Sequence, residues 1–153
     1  MIAFDVLGTP APKGSGRAIL RGGRAVHVPS GSNVNRDALI SWDVAVRNAA
    51  VIAVGNVSAP PFVGVALKLT VEFRMRRPAG HWGKGRNAGR LTPSAPRYPA
   101  TKPDSSKLLR STEDSMIGIV FDDDSRIVDT WITKVYAEPG SEGARIAVEA
   151  MDT

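Results

Sequence analysis

The chain has 153 residues, enough for one domain that buries roughly two-thirds of its unfolded surface in a single core. It holds no cysteine, which excludes disulfide scaffolds, thiolate zinc sites and cysteine nucleophiles. No apolar run approaches the ~18 residues of a membrane span and the start carries no basic-then-apolar leader, so a protein of the cell interior with no membrane partner is expected. The formal net charge of +5 points instead to a polyanionic partner.

Along the chain, Ile2, Phe4 and Val6 alternate ahead of Gly8-Thr9-Pro10, which predicts a strand from Met1 to Leu7. A loop through Pro10, Pro12, Gly14 and Gly16 leads to two extended pieces between Arg17 and Val28. They flank Arg21-Gly22-Gly23-Arg24 and predict a hairpin whose Arg17, Arg21, Arg24 and His27 are placed to touch a polyanion such as DNA. Leu39, Trp42, Val46, Ala49 and Ala50 then recur at helical spacing, predicting a helix from Arg36 to about Val54 with Trp42 in the core. Val65, Leu67, Leu69, Val71 and Phe73 alternate with Lys68, Thr70, Glu72 and Arg74, so Val63 to Met75 reads as a strand.

Residues 76–102 have no usable periodicity, being rich in glycine and proline around His81, Trp82 and several Lys and Arg. They are expected to form a long basic loop, a DNA-contacting arm that orders on binding. Pro103-Asp104-Ser105-Ser106 supplies capping side chains for a helix to about Met116, with Leu108, Leu109, Thr112 and Met116 facing inward and Gly118 placed to end it. Arg126 to Ala137 and Ala144 to Ala150 read as two final strands joined in an antiparallel hairpin. The expected architecture is a single α+β domain over residues 1–153, with a mixed β-sheet and two principal helices.

Charge is segregated along this frame. From Arg74 to Arg110 there are ten Lys and Arg against the single acid Asp104, whereas from Ser111 to Thr153 ten Asp and Glu face only Arg126, Lys134 and Arg145. A basic arm beside an acidic cluster suits an enzyme that must attract phosphates and hold cations; a solvated basic loop with an unrelated acidic tail is the plainer reading of the same charges. Asp122, Asp123 and Asp124 are consecutive, and adjacent carboxylates raise one another's pKa unless a counter-charge is supplied. Oxygen donors of this kind, without a Cys/His set, suit Mg²⁺ or Mn²⁺. Taken singly, Asp123 fits a turn cap as well as a ligand, and Asp122 a solvated carboxylate. His27 and His81 have no partner at ligand spacing and read as surface or phosphate-contacting residues.

The run Lys102-Pro-Asp104-Ser-Ser-Lys107-Leu-Leu-Arg110, then Asp114, then Phe121-Asp122-Asp123-Asp124 followed by Ile127-Val128, resembles the core signature of RusA-type Holliday-junction resolvases over roughly the last third of the chain. The resemblance implies a small homodimeric, metal-dependent endonuclease of recombination and repair, of the kind carried by phages and prophages in bacterial cytoplasm. Such an enzyme cuts four-way DNA junctions symmetrically and leaves 5′-phosphate and 3′-hydroxyl ends. It places Asp104 and Asp124 on metal-ligand positions, with Asp123 as a further ligand, and Arg110 where a basic residue stabilises charge on the phosphate. Mg²⁺ is the implied cofactor, with Mn²⁺ as a substitute. Arg74, Arg76, Arg77, Lys84, Arg86, Lys102 and Lys107 would form the track for the junction arms. Asp114, four residues after Arg110, would pair with it across one helical turn, as a catalytic element or an ordinary surface ion pair. One departure stands out: Ser106 occupies the place of a second aspartate. Either Asp122 or Asp123 makes up the charge, or the enzyme is weakened or prefers Mn²⁺, or the protein binds junctions without cutting them.

Overall fold

The computed structural model describes residues 1–14, 16–29 and 33–152; the side chains of Arg17 and His27, two of the hairpin residues expected to touch DNA, lie outside the described part. Burial decides the order of the strands. In β4 (Leu67–Met75), Leu67, Leu69, Val71 and Phe73 are fully buried, while Lys68, Thr70, Glu72 and Arg74 project to the opposite face. This most apolar strand takes an inner position, parallel to β5 (Ile127–Tyr136) and antiparallel to β6 (Gly143–Ala150), with β1 (Ile2–Leu7) beyond β6. The sheet order is therefore β1-β6-β4-β5, a mixed sheet, and β5 is left with an unpaired outer edge among the described strands. A separate ribbon pairs β2 (Gly16–Arg21) with β3 (Arg24–Pro29), as expected, and Gly22 and Gly23 make its turn at φ +58° and +77°.

Two helices complete the core. α1 (Asn33–Val54), which starts three residues before the expected Arg36, buries Trp42, Val46 and Ala50. α2 (Ser105–Met116) buries Leu108, Thr112 and Met116 against it. Across this seam the Trp42 indole N–H donates to the Thr112 hydroxyl at 3.1 Å, and that hydroxyl donates to the Leu108 carbonyl at 2.9 Å. The Trp42 ring also lies 6.5 Å, centroid to centroid, from Phe73 on β4, so one aromatic side chain ties both helices to the sheet. At Gly143 the backbone of β6 passes so close to β1 that a Cβ would stand 1.8 Å from the Val6 carbonyl oxygen, which only glycine permits. Among the described residues no helix is long and apolar enough to cross a membrane.

Three expectations are corrected. The strand expected from Val63 begins only at Leu67, because the preceding residues are engaged elsewhere: the Phe62 N–H bonds the Val120 carbonyl, the Asp122 N–H bonds the Phe62 carbonyl, and Gly64 turns the chain at φ +68°. The last two strands do not form a hairpin, since β4 lies between them; the turn after β5 carries the chain over the end of β4, where the Ala137 N–H bonds the Met75 carbonyl. Residues 76–102, expected to lack regular structure, carry local turns. They form 3₁₀ turns at Ala79–His81 and Gly85–Asn87, and Gly83 N–H to Arg90 carbonyl (2.8 Å) and Thr92 N–H to His81 carbonyl (2.9 Å) close the segment on itself.

Truncating Phe73 to alanine should cost about 3–5 kcal/mol. Trp42→Phe, which keeps the bulk but loses the Thr112 hydrogen bond, should cost about 1 kcal/mol. Urea titration of both variants measures the difference.

Candidate active site

At the head of α2, Asp104 is the N-cap residue, with extended backbone at φ −68° and ψ 140°; its carbonyl accepts from the Lys107 and Leu108 N–H groups. Contrary to the capping expected of it, its side chain bonds no backbone N–H, so the carboxylate stays free. Lys107 Nζ stands 3.7 Å from it. The carboxylate opens into a cleft of about 580 Å³ that Arg76, Lys102, Lys107 and Lys134 also line, with Tyr136. Four cations around one carboxylate make a place where a phosphate can approach an acidic group without net repulsion.

Beyond the other end of α2, Gly118 reverses the chain at φ +78° and its N–H bonds the Phe121 carbonyl. The acidic run follows. Asp122 accepts from Arg126 Nη2 at 3.2 Å and lies 3.5 Å from the Gly64 N–H, and these contacts, Arg126 first, hold its carboxyl below the usual range. Asp123 accepts from the Ser125 N–H at 2.8 Å, and hydrogen bonds from Ser125 lower it as well. The mutual raising expected of adjacent carboxylates is thus reversed, because each finds a local donor. Asp123 acts as the cap of the short turn Asp124–Arg126. Asp124 is exposed and has no ion-pair partner among the described residues.

A residue that the spacing did not single out lies within the field of Asp124. Glu113, in the third turn of α2, is half-buried, and its pKa is raised to about 7 by that burial, then by the charges of Asp124 and Asp114, with Arg110 opposing. The approach depends on the Gly118 reversal, which no local pattern encodes. Arg110 is exposed, and Asp114 is not paired with it as expected: Asp114 takes Lys13, whose N–H is bonded to the Lys107 carbonyl and whose side chain is thereby drawn across the helix. Ser106 is exposed on the first turn of α2.

Of the expected DNA contacts, Arg76, Lys102 and Lys107 converge on the Asp104 cleft. Lys84 and Arg86 are exposed on the long loop. Arg74 is occupied by Asp5 (2.7 Å) and the Ser141 carbonyl (3.0 Å). Arg77 lies 4.0 Å over the Tyr136 ring and donates to the Pro96 carbonyl, and His81 meets the same ring edge-on at 5.5 Å.

The two free aspartates are not brought together within one chain. Twelve helical residues separate Asp104 from the acidic turn, and at ~1.5 Å rise per residue α2 is ~18 Å long. Asp104 lies next to Lys134 near the end of β5, whereas Asp124 opens the short turn that leads into its start at Ile127. Among the described residues no three Asp, Glu or His side chains stand together closely enough to hold a metal ion.

Glu113 makes the fold pH-sensitive in a defined direction. Its pKa is raised above the ordinary 4.5 to about 7, so between those values the folded chain binds more protons than the unfolded chain, and stability falls as pH rises through this window. Denaturant titrations across it should show Glu113→Gln losing less stability with rising pH than the native protein.

A family model described as Endodeoxyribonuclease RusA matches residues 11–149 of the chain. No curated protein matches it.

Proposed function

The chain belongs to the RusA endodeoxyribonuclease family, hydrolases of DNA phosphodiester bonds, and from that premise we propose that it resolves four-way DNA junctions with Asp104, Asp124 and Arg110 as its reacting groups. RusA-family nucleases act on Holliday junctions and depend on a divalent metal. The observation that carries the reading is the free Asp104 carboxylate inside a cleft lined by Arg76, Lys102, Lys107 and Lys134, where a strand backbone can be drawn in by its phosphates. Lys84 and Arg86 extend that positive surface along the loop.

The donor set suits Mg²⁺, with Mn²⁺ as a substitute, since every available side chain offers oxygen. Asp104 and Asp124 would hold the ion; Asp123 keeps one oxygen outside its turn cap, and Glu113 beside Asp124 supplies the second carboxylate that Ser106 cannot. A divalent cation bound there would polarise the scissile phosphate and make a water nucleophilic near neutral pH. Arg110, exposed midway along α2, offers its guanidinium to the phosphate oxygens, and Asp114, neutralised by Lys13, does not compete for it.

Because one chain separates Asp104 from Asp124, the protein works as a homodimer in which each site draws Asp104 from one copy and Glu113 and Asp124 from the other. Two observations support this. The two ends of α2 are opposite in charge, Lys102, Lys107 and Lys134 at one and Glu113 and Asp124 at the other, so two such helices laid antiparallel would complement one another. The outer edge of β5 carries Val128 and Trp131, 65% and 63% exposed, as apolar surface that a second copy would cover. Two sites related by a two-fold axis then face two strands of one junction.

The test is cleavage of a labelled four-way junction against linear duplex in Mg²⁺ and in Mn²⁺. Symmetric nicking of the junction alone is expected, with loss of at least about a hundredfold in rate in both Asp104→Asn and Asp124→Asn, a range typical of removing a group that stabilises the transition state. Mixing the two variants as heterodimers should restore cutting, since one of the two sites then regains both aspartates. Tight junction binding without cutting in either metal would leave Ser106 as the mark of a non-cleaving junction binder, and indifference to junctions would overturn the reading.

A further inference from the structure

We propose that Lys134 is a positioning residue for Asp104, an inference that rests on the role given to Asp104 above. Lys134 lies on β5 opposite Phe73 of β4, on a strand whose register is fixed by the sheet. Its partly buried ammonium donates to the Thr101 carbonyl at 2.8 Å and to the Pro103 carbonyl at 2.9 Å. No carboxylate pairs with it among the described residues. An ammonium that spends two of its three donors on backbone carbonyls holds those carbonyls with a charge-assisted bond that a neutral side chain would not supply.

The two carbonyls are those of the segment that delivers Asp104. Thr101 and Pro103 bracket Lys102, and Pro103 directly precedes the cap residue, so the ammonium gathers the chain just before α2 begins. With this segment held, Asp104 enters the helix with extended backbone and its carboxylate turned into the cleft instead of onto the N–H groups it could cap. A released segment would let that carboxylate swing back to the free N–H groups of the first turn, the partner an aspartate at this position ordinarily takes. Lys134 thus acts on the site through Thr101 and Pro103, just as the outer residues of a metal centre orient its ligands. The same side chain lines the cleft, so its charge also adds to the field that draws phosphate in.

Three variants separate these effects: Lys134→Met, which keeps the stem and removes the donors; Lys134→Arg, which keeps charge and donors; and Asp104→Asn. Mn²⁺ affinity is read by electron paramagnetic resonance, and junction affinity by gel shift without divalent metal. Lys134→Met is expected to weaken Mn²⁺ binding roughly tenfold, the usual scale for losing an outer partner of a ligand. Its junction affinity should fall by clearly less than its Mn²⁺ affinity, because Arg76, Lys102 and Lys107 remain in the cleft, and Lys134→Arg should recover most of the metal affinity. Native Mn²⁺ affinity in Lys134→Met would overturn the proposal. So would a fall in junction affinity as large as the fall in metal affinity, which would make Lys134 a phosphate contact. If Asp104→Asn binds Mn²⁺ as well as the native protein does, the reading of Asp104 as a ligand fails first and the role of Lys134 falls with it.

Discussion

A helix of twelve residues is a rigid spacer, and α2 imposes its length on everything this protein does with its carboxylates. Its interior is pinned by Leu108, Thr112 and Met116 in the core and by the Trp42–Thr112 hydrogen bond, so its ends cannot approach one another. Asp104 is presented at one end, with only Lys107 at 3.7 Å as an ion-pair partner, and Asp124 beyond the other, with none among the described residues. A divalent ion needs its oxygen ligands within roughly 2 Å of itself. In the proposed reading the spacer turns the family's chemistry into a question of assembly, with the two ends of α2 brought together by a second copy.

Electrostatics supports the same arrangement. The Asp104 end is surrounded by Arg76, Lys102, Lys107 and Lys134, while the other end holds Glu113, whose raised pKa reports how crowded that acidic corner is. Each end is poorly compensated alone and complements the other. Asp122 and Asp123, by contrast, are settled by Arg126 and by the Ser125 N–H, and serve to shape the turn that presents Asp124. The acidic run is thus divided between Asp122 and Asp123, which build the turn, and the groups it leaves open, Asp124 and the second oxygen of Asp123.

The sequence was most legible where a pattern is local. Alternation from Leu67 to Phe73 marked the inner strand, helical spacing put Trp42 in the core, and the Pro-Asp-Ser-Ser run located the start of α2. It was least legible where a partner comes from afar. The final hairpin was expected because neighbouring strands commonly pair, but β4 enters between them from sixty residues earlier. Arg110 and Asp114 have the spacing of an ion pair, and Lys13 takes Asp114 from the other end of the chain. Glu113 gave no signal because its meeting with Asp124 depends on the Gly118 reversal, and Lys134 gave none because its partners are backbone carbonyls, which every residue possesses.

Whether the proposed metal site forms only between two copies is decided by following Mn²⁺ binding across a protein dilution series whose association state is measured in parallel by sedimentation. Mn²⁺ affinity is expected to rise and fall with the fraction of dimer, the isolated chain binding the ion only weakly. Equal affinity in chains shown to be monomeric would contradict it, and would mean that one copy assembles the site by itself.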